Sequence, residues 1–280
     1  MRKLLSANLA RMSKSKIFWA LEMISAIAGM VMFSLAVLNT RNIGNEWFLA
    51  NGNYYFYIVL IYIGVIMALF ISFFVGAEYE NGTIRNKLAV GHCRRDIYLA
   101  NFVISGIAGL LFTITHMAAS MLIGIPFLGS LVRESLATVG WRILGAVVLI
   151  LCYAAIFTFL AVMDGSKARN GAISLVLALV IALGGLYTYG SLQEPEFTTR
   201  MVMQDDGSYV RQEGVPNSRY LSGTARSVYT AADVLLPSAQ ALRIANSEGE
   251  FSAFSLICLA GVAIVFTSGG IIAFKKKDIR

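Results

Sequence analysis

Glu78-Tyr79-Glu80-Asn81-Gly82-Thr83-Ile84-Arg85-Asn86-Lys87-Leu88-Ala89-Val90-Gly91-His92-Cys93-Arg94-Arg95-Asp96 is a charged insert between two runs too apolar for anything but a membrane. Within it the residue order predicts a short helix of about two turns. Gly82 allows a tight turn, Thr83 is the expected N-cap, and Gly91 stands where a left-handed residue would close the helix. The insert is therefore a folded element held out of the bilayer, and the runs on either side of it set the architecture.

Composition agrees. Of 280 residues 57% are hydrophobic and 14% charged, against roughly 25% charged in ordinary globular domains. The chain reads as an all-α integral membrane protein. Its net charge of +7 is explained by basic loops on one side of a membrane, with lipid rather than nucleic acid as the partner. Three cysteines, Cys93, Cys152 and Cys258, are scattered too widely for a disulfide framework.

Taken in order, Arg2 to Lys16 alternates Leu4, Leu5, Leu9 and Met12 with five basic residues, the pattern of a helix lying in the interface. Runs of about twenty apolar residues, enough to cross about 30 Å of hydrocarbon, then predict six transmembrane helices at about 17–38, 56–77, 97–128, 143–163, 171–189 and 254–274. The first run is too long for a signal segment and lacks a cleavage site, so it reads as a retained span. Asp96 is the expected cap of the third span, and Pro126 marks a bend near its far end. The Leu131 to Arg142 linker precedes the fourth span, and a short polar turn, Asp164 to Asn170, joins the fourth to the fifth.

Between the fifth and sixth spans lies a small segment, 190–251, with eight acidic residues and five arginines. Its Thr199–Gln204 and Ser208–Arg211 stretches flank Asp205-Asp206-Gly207 and predict a hairpin. Downstream, Ala225 to Asn246 predicts two short helices at the outer membrane surface, broken at Leu236-Pro237.

Every lysine falls in the N-terminus, the 78–96 insert, the 164–170 turn or the C-terminus. With arginines, these four regions hold fifteen basic residues, against eight in the opposite connections. The positive-inside rule places the larger set, and both termini, in the cytoplasm, with 190–251 outside.

The insert also carries a resemblance. Glu78-Tyr79, Gly82-Thr83-Ile84, Leu88, Gly91, Arg94 and Ile97-Tyr98 resemble the pattern after the second span in permeases of type 2 ATP-binding cassette (ABC) exporters of the bacterial six-span class. The ending, Phe274 followed by lysines, Asp278 and Ile279, is similar to the ends of such chains. One position departs: where the family often has Lys after Leu-Ala, this chain has Asn101. The resemblance implies a single permease domain over 1–280 in the bacterial plasma membrane. It also implies a second permease chain, identical or homologous, and a pair of cytoplasmic ATPase subunits that bind ATP and Mg. The 78–96 helix would then be the coupling helix seated on the ATPase. Glu78, Glu80, Arg85, Lys87, Arg94 and Arg95 are its candidate polar contacts, Gly82 and Thr83 shape its start, and Ile84 and Leu88 share a face that would enter the ATPase groove.

No P-loop occurs in the chain, and no pattern of paired carboxylates or clustered Cys and His suggests catalysis or a metal site. The expected function is a transport subunit, itself no enzyme and binding no cofactor, that moves an amphipathic substrate outward. An antimicrobial peptide, a drug or a lipid would suit its apolar spans. The alternative is a self-sufficient secondary transporter or channel, which would rely on intramembrane polar groups. Glu22 and His116 are the candidates for that or for a substrate path. Structural readings stand beside them: Glu22 paired to a basic neighbour near the span end, and His116 bonding an adjacent helix.

Overall fold

The computed structural model describes residues 1–43, 54–128, 135–203, 209–246 and 251–278. An N-terminal helix α1 (Arg2–Ser13) precedes α2 (Lys16–Ile43), α3 (Val59–Glu80), the short α4 (Thr83–Ala89), α5 (Arg94–Leu128), α6 (Leu136–Asp164) and α7 (Lys167–Gln193). Two antiparallel strands follow, β1 (Phe197–Met203) and β2 (Tyr209–Pro216), then α8 (Gly223–Leu235), α9 (Pro237–Ala245) and α10 (Ala253–Lys276). Six helical segments are long and apolar enough to cross a membrane: Lys16–Asn42, Tyr54–Glu80, Arg94–Pro126, Leu136–Asp164, Lys167–Gln193 and Ala253–Lys276. They contain five of the six expected spans and extend most of these by one or two turns; the third segment begins earlier than expected and ends at Pro126, two residues short of the expected 128. The chain is a multi-pass, all-α membrane protein, with the hairpin and two short helices inserted before its last span.

Packing follows the small residues. α2 lies along α5, α10 along α6, and α3 against α7 and α6. On the α2–α5 seam, a methyl group added at Gly29 would stand 2.4 Å from the His116 carbonyl oxygen; only glycine lets the two backbones approach so closely. Bulky buried side chains such as Phe70, Phe112, Tyr153 and Phe157 fill the centre. Apolar residues of α7 and α10 such as Val176, Leu183, Ile257 and Ile264 are exposed, as suits faces that meet lipid.

Several expectations are corrected. Thr83 is the first helical residue of α4, and the cap position belongs to Gly82, at φ 65°. Asp96 sits in the first turn of α5, which begins two residues earlier; there it complements the helix dipole and stands 3.6 Å from the Met1 ammonium. Arg142 lies inside α6, which opens at a Ser135 cap accepting the Thr138 N–H at 3.1 Å. Residues 136–142 of the proposed 131–142 linker are helical, while 131–134 and the Asp205-Asp206-Gly207 turn fall outside the described residues.

The largest correction concerns α9. The break at Leu236-Pro237 is where it was expected, but α9 does not lie on the surface: it is wedged among α3, α6 and α7, and nearly all of its side chains are buried. Several of its polar groups find partners within the bundle. Ser238 donates to the Ile181 carbonyl, Gln240 to the Asp233 carbonyl at 2.7 Å, and Arg243 pairs with Asp233 at 2.7 Å. The buried Arg142 donates to the Ile244 carbonyl, and to that of Asn246 at 3.5 Å, completing the C-terminal end of α9 with a cation.

Candidate functional site

The connection between α3 and α5 forms a finished small structure. α4 ends on Gly91 at φ 92°. The Gly91 N–H donates to the Leu88 carbonyl at 2.9 Å and the His92 N–H to the Lys87 carbonyl at 3.1 Å. This pair of bonds closes the helix and satisfies carbonyls that would otherwise face the membrane surface bare. The expected closure at Gly91 is what the chain adopts.

α4 is two-sided. Ile84 is buried against the chain's own core, so in this conformation it does not enter a partner's groove, and Leu88 is half-buried beside it. Glu80, Arg85, Asn86, Ala89, Gly91 and Arg95 face outward. Val90 is 79% exposed. Residue order alone did not single out Val90, although an apolar residue at the tip of a charged loop is the available signal.

Glu78 is fully buried near the C-terminal end of α3, away from any external surface. Arg11 Nη1 stands 2.6 Å from Oε1, Lys87 Nζ donates to the same oxygen, and Asn101 Nδ2 donates to Oε2 at 2.9 Å. Asn8 closes the circle: its Nδ2 donates to Asn101 Oδ1 at 2.9 Å, and its Oδ1 accepts from Lys87 at 3.2 Å. The Arg11 guanidinium also stacks 3.7 Å from the Phe74 ring centre, a cation–π contact. Burial pulls both Arg11 and Lys87 below their ordinary values, while the Glu78 charge acts in the opposite sense. One carboxylate thus ties α1, α3, α4 and α5 together. Asn101, the departure from the family pattern, is the residue that fits this arrangement: an amide can donate to Glu78 and accept from Asn8 at once.

Arg94 and Lys277 form a second junction. Arg94 donates to the carbonyls of Phe274 at 2.8 Å and of Lys277, capping the last turn of α10. Lys277 donates in turn to the Val162 and Met163 carbonyls at 2.7 and 3.1 Å, capping α6, and its ammonium stands 4.4 Å over the Tyr79 ring. The lysines at the end of the chain therefore include a structural cap.

Glu22 and His116 meet on the α2–α5 seam. Thr115 hydrogen-bonds the Glu22 carboxyl, and His116 Nδ1 shares a 2.6 Å hydrogen bond with the Tyr62 hydroxyl. The His116 ring also approaches the Ser25 and Tyr55 carbonyls. Even so, Glu22 Oε2, Ser25 Oγ and His116 Nε2 are buried without a hydrogen bond of good geometry. Among the described residues, no group of three or more His, Cys, Asp or Glu side chains is placed to hold a metal.

Comparison with known proteins adds the family. A family model described as "ABC-2 family transporter protein" matches residues 4–185, a stretch that includes most of α1, all of α2 to α6, the residues of the Glu78 junction and most of α7. No curated protein matches the chain.

Proposed function

The chain belongs to the ABC-2 transporter family, and from that premise we propose that it is the permease subunit of an ATP-driven exporter in a bacterial plasma membrane. It works with a second permease chain and a pair of ATPase subunits that carry ATP and Mg, and it has no catalytic role itself. The observation that supports this reading best is the two-sidedness of α4. Its outer side offers Val90 and Ala89 between Arg85, Asn86 and Arg95, an apolar knob with a polar rim suited to a groove. Its inner side is bonded to the bundle through Lys87 and Glu78. A push from an ATPase closing on ATP reaches α1, α3 and α5 without passing through a flexible joint. Both termini and α4 lie in the cytoplasm in this reading, and the cargo is amphipathic: an antimicrobial peptide, a drug or a lipid.

The experiment is co-purification of the chain with its ATPase partner, sought in the neighbouring reading frame. Val90→Asp combined with Arg85→Glu buries an unpaired carboxylate at the docking surface, at a cost of several kcal/mol. Both positions are exposed in the isolated chain, so the variant folds and inserts. The expected result is loss of the bound ATPase and of transport together. ATPase retained at the unaltered level sinks this docking surface.

A further inference from the structure

The end of the bundle remote from α4 holds a groove that plays no part in docking. α8 lies beside the first turns of α10, and between them runs a cavity of about 620 Å³, within the range of about 300–1,000 Å³ for small-ligand sites. Ala231, Val234 and Leu235 from α8 and Phe254 and Cys258 from α10 wall it. The two hydroxyls on its lining are turned back on their own helix, Ser227 to the Gly223 carbonyl at 3.5 Å and Thr230 to the Arg226 carbonyl at 2.8 Å. What remains is hydrocarbon along the length and one charge, Arg226, at the α8 N-terminal end.

Arg226 is half-buried, packs 5.2 Å from the Tyr220 ring centre and donates to the Leu221 carbonyl at 3.4 Å. Unlike Arg243 with Asp233 or Arg169 with Asp164, it meets no carboxylate among the described residues. The first turn of α8 beside it has no side-chain cap at Ser222, which adds the partial positive charge of a helix start. Ile257, Ile264 and Val265 are exposed further along α10, so an apolar surface leads from the groove down the span. A chain-like ligand can thus enter sideways from the bilayer.

We propose that this groove binds a phospholipid of the surrounding bilayer with an anionic headgroup, its phosphate on Arg226 and an acyl chain between α8 and α10. The planar guanidinium with unused donors matches a phosphate, and the apolar walls match the chain. A zwitterionic lipid offers the same hydrocarbon with less net charge, so discrimination rests on Arg226.

The purified full chain in mild detergent, offered phosphatidylglycerol and phosphatidylcholine with identical acyl chains, is weighed intact by native mass spectrometry. The expected result is a preference for phosphatidylglycerol of roughly tenfold, the scale of a charge-assisted hydrogen bond, lost in Arg226→Gln. A phosphatidylglycerol with a photoreactive group near the acyl terminus should crosslink to Ala231–Leu235 or Phe254–Cys258, and not in Ala231→Trp, which fills the groove. Where Ala231→Trp elutes differently from the unaltered chain, the crosslinks of the unaltered chain decide. Equal retention of both lipids, crosslinks spread evenly over the exposed faces of α7 and α10, or a second copy of the chain crosslinked at the groove each overturns the proposal. None of these readouts involves an ATPase, so the outcome is separate from that of the docking experiment.

Discussion

Glu78 and Glu22 are both withdrawn from water, yet their surroundings differ in kind. Glu78 has a guanidinium, an ammonium and an amide on its two oxygens, and each partner comes from a different helix. Glu22 has Thr115 on one side and a bare oxygen on the other. A buried carboxylate with matched partners fixes the relative positions of the elements that supply them. One left half-answered holds nothing in place, and a buried polar group without a partner costs about 1–3 kcal/mol. The α4 end is thus polar and tightly bonded, whereas the α2–α5 seam relies on close backbone approach and tolerates an unmet polar face.

The largest test of this contrast is Glu78→Ala. It strands Arg11 and Lys87 without a counter-charge, and the expected loss is about 3–5 kcal/mol in SDS-driven unfolding from mixed micelles. A loss under about 1 kcal/mol, the value of an exposed pair, would show that the junction is open to water. Next comes Gly29→Ala. Its methyl group meets the His116 carbonyl, and overpacking of this kind costs about 1–3 kcal/mol; no change would mean that the seam is slack. Glu22→Gln keeps the shape and the acceptor for Thr115, so the same unfolding assay should move by less than about 1 kcal/mol. An effect as large as that at Glu78 would erase the contrast.

The smallest effect is one of pH. Burial holds Lys87 below 10.5, so on the way to alkaline pH the folded chain releases that proton before the unfolded chain does. The unfolded state then binds more protons, and stability rises with pH between the folded value and 10.5. Lys87→Met should remove part of that rise. Lys277, lowered likewise by burial, keeps the rest.

How far the sequence could be read follows the range of the interactions. The six spans were legible because each needs only its own run of apolar residues, and the close of α4 because Gly91 acts within six residues. The Glu78 junction was not: Asn8 and Asn101 bond across 93 positions. Asn8 and Arg11 looked like parts of a basic helix lying in the interface, and Asn101 looked like a missing lysine. α9 was misplaced for a similar reason. Ala225 to Asn246 read as two helices on the outer membrane surface, but Ser238, Gln240 and Arg243 donate to the Ile181 carbonyl and to Asp233, acceptors that only the folded chain brings near. Ile84 was expected to face outward but is buried, while Val90 is exposed, because helical spacing says which residues share a face, and not which face the rest of the chain covers.

The Arg94 junction also sets an order of events during synthesis. Arg94 leaves the ribosome early, but the carbonyls it holds belong to residues 180 and 183 positions later. Chains emerge from the N-terminus at about 5–20 residues per second, so on the order of ten seconds or more separates the guanidinium from its acceptors. Throughout that interval the start of α5 sits at the membrane surface with its cation free, and α6 lacks the cap that Lys277 brings. The α4 end of this protein is therefore among the first parts made and the last to be completed, and a nascent chain stalled before residue 274 has α4 but not the clamp that Arg94 makes with the last turn of α10.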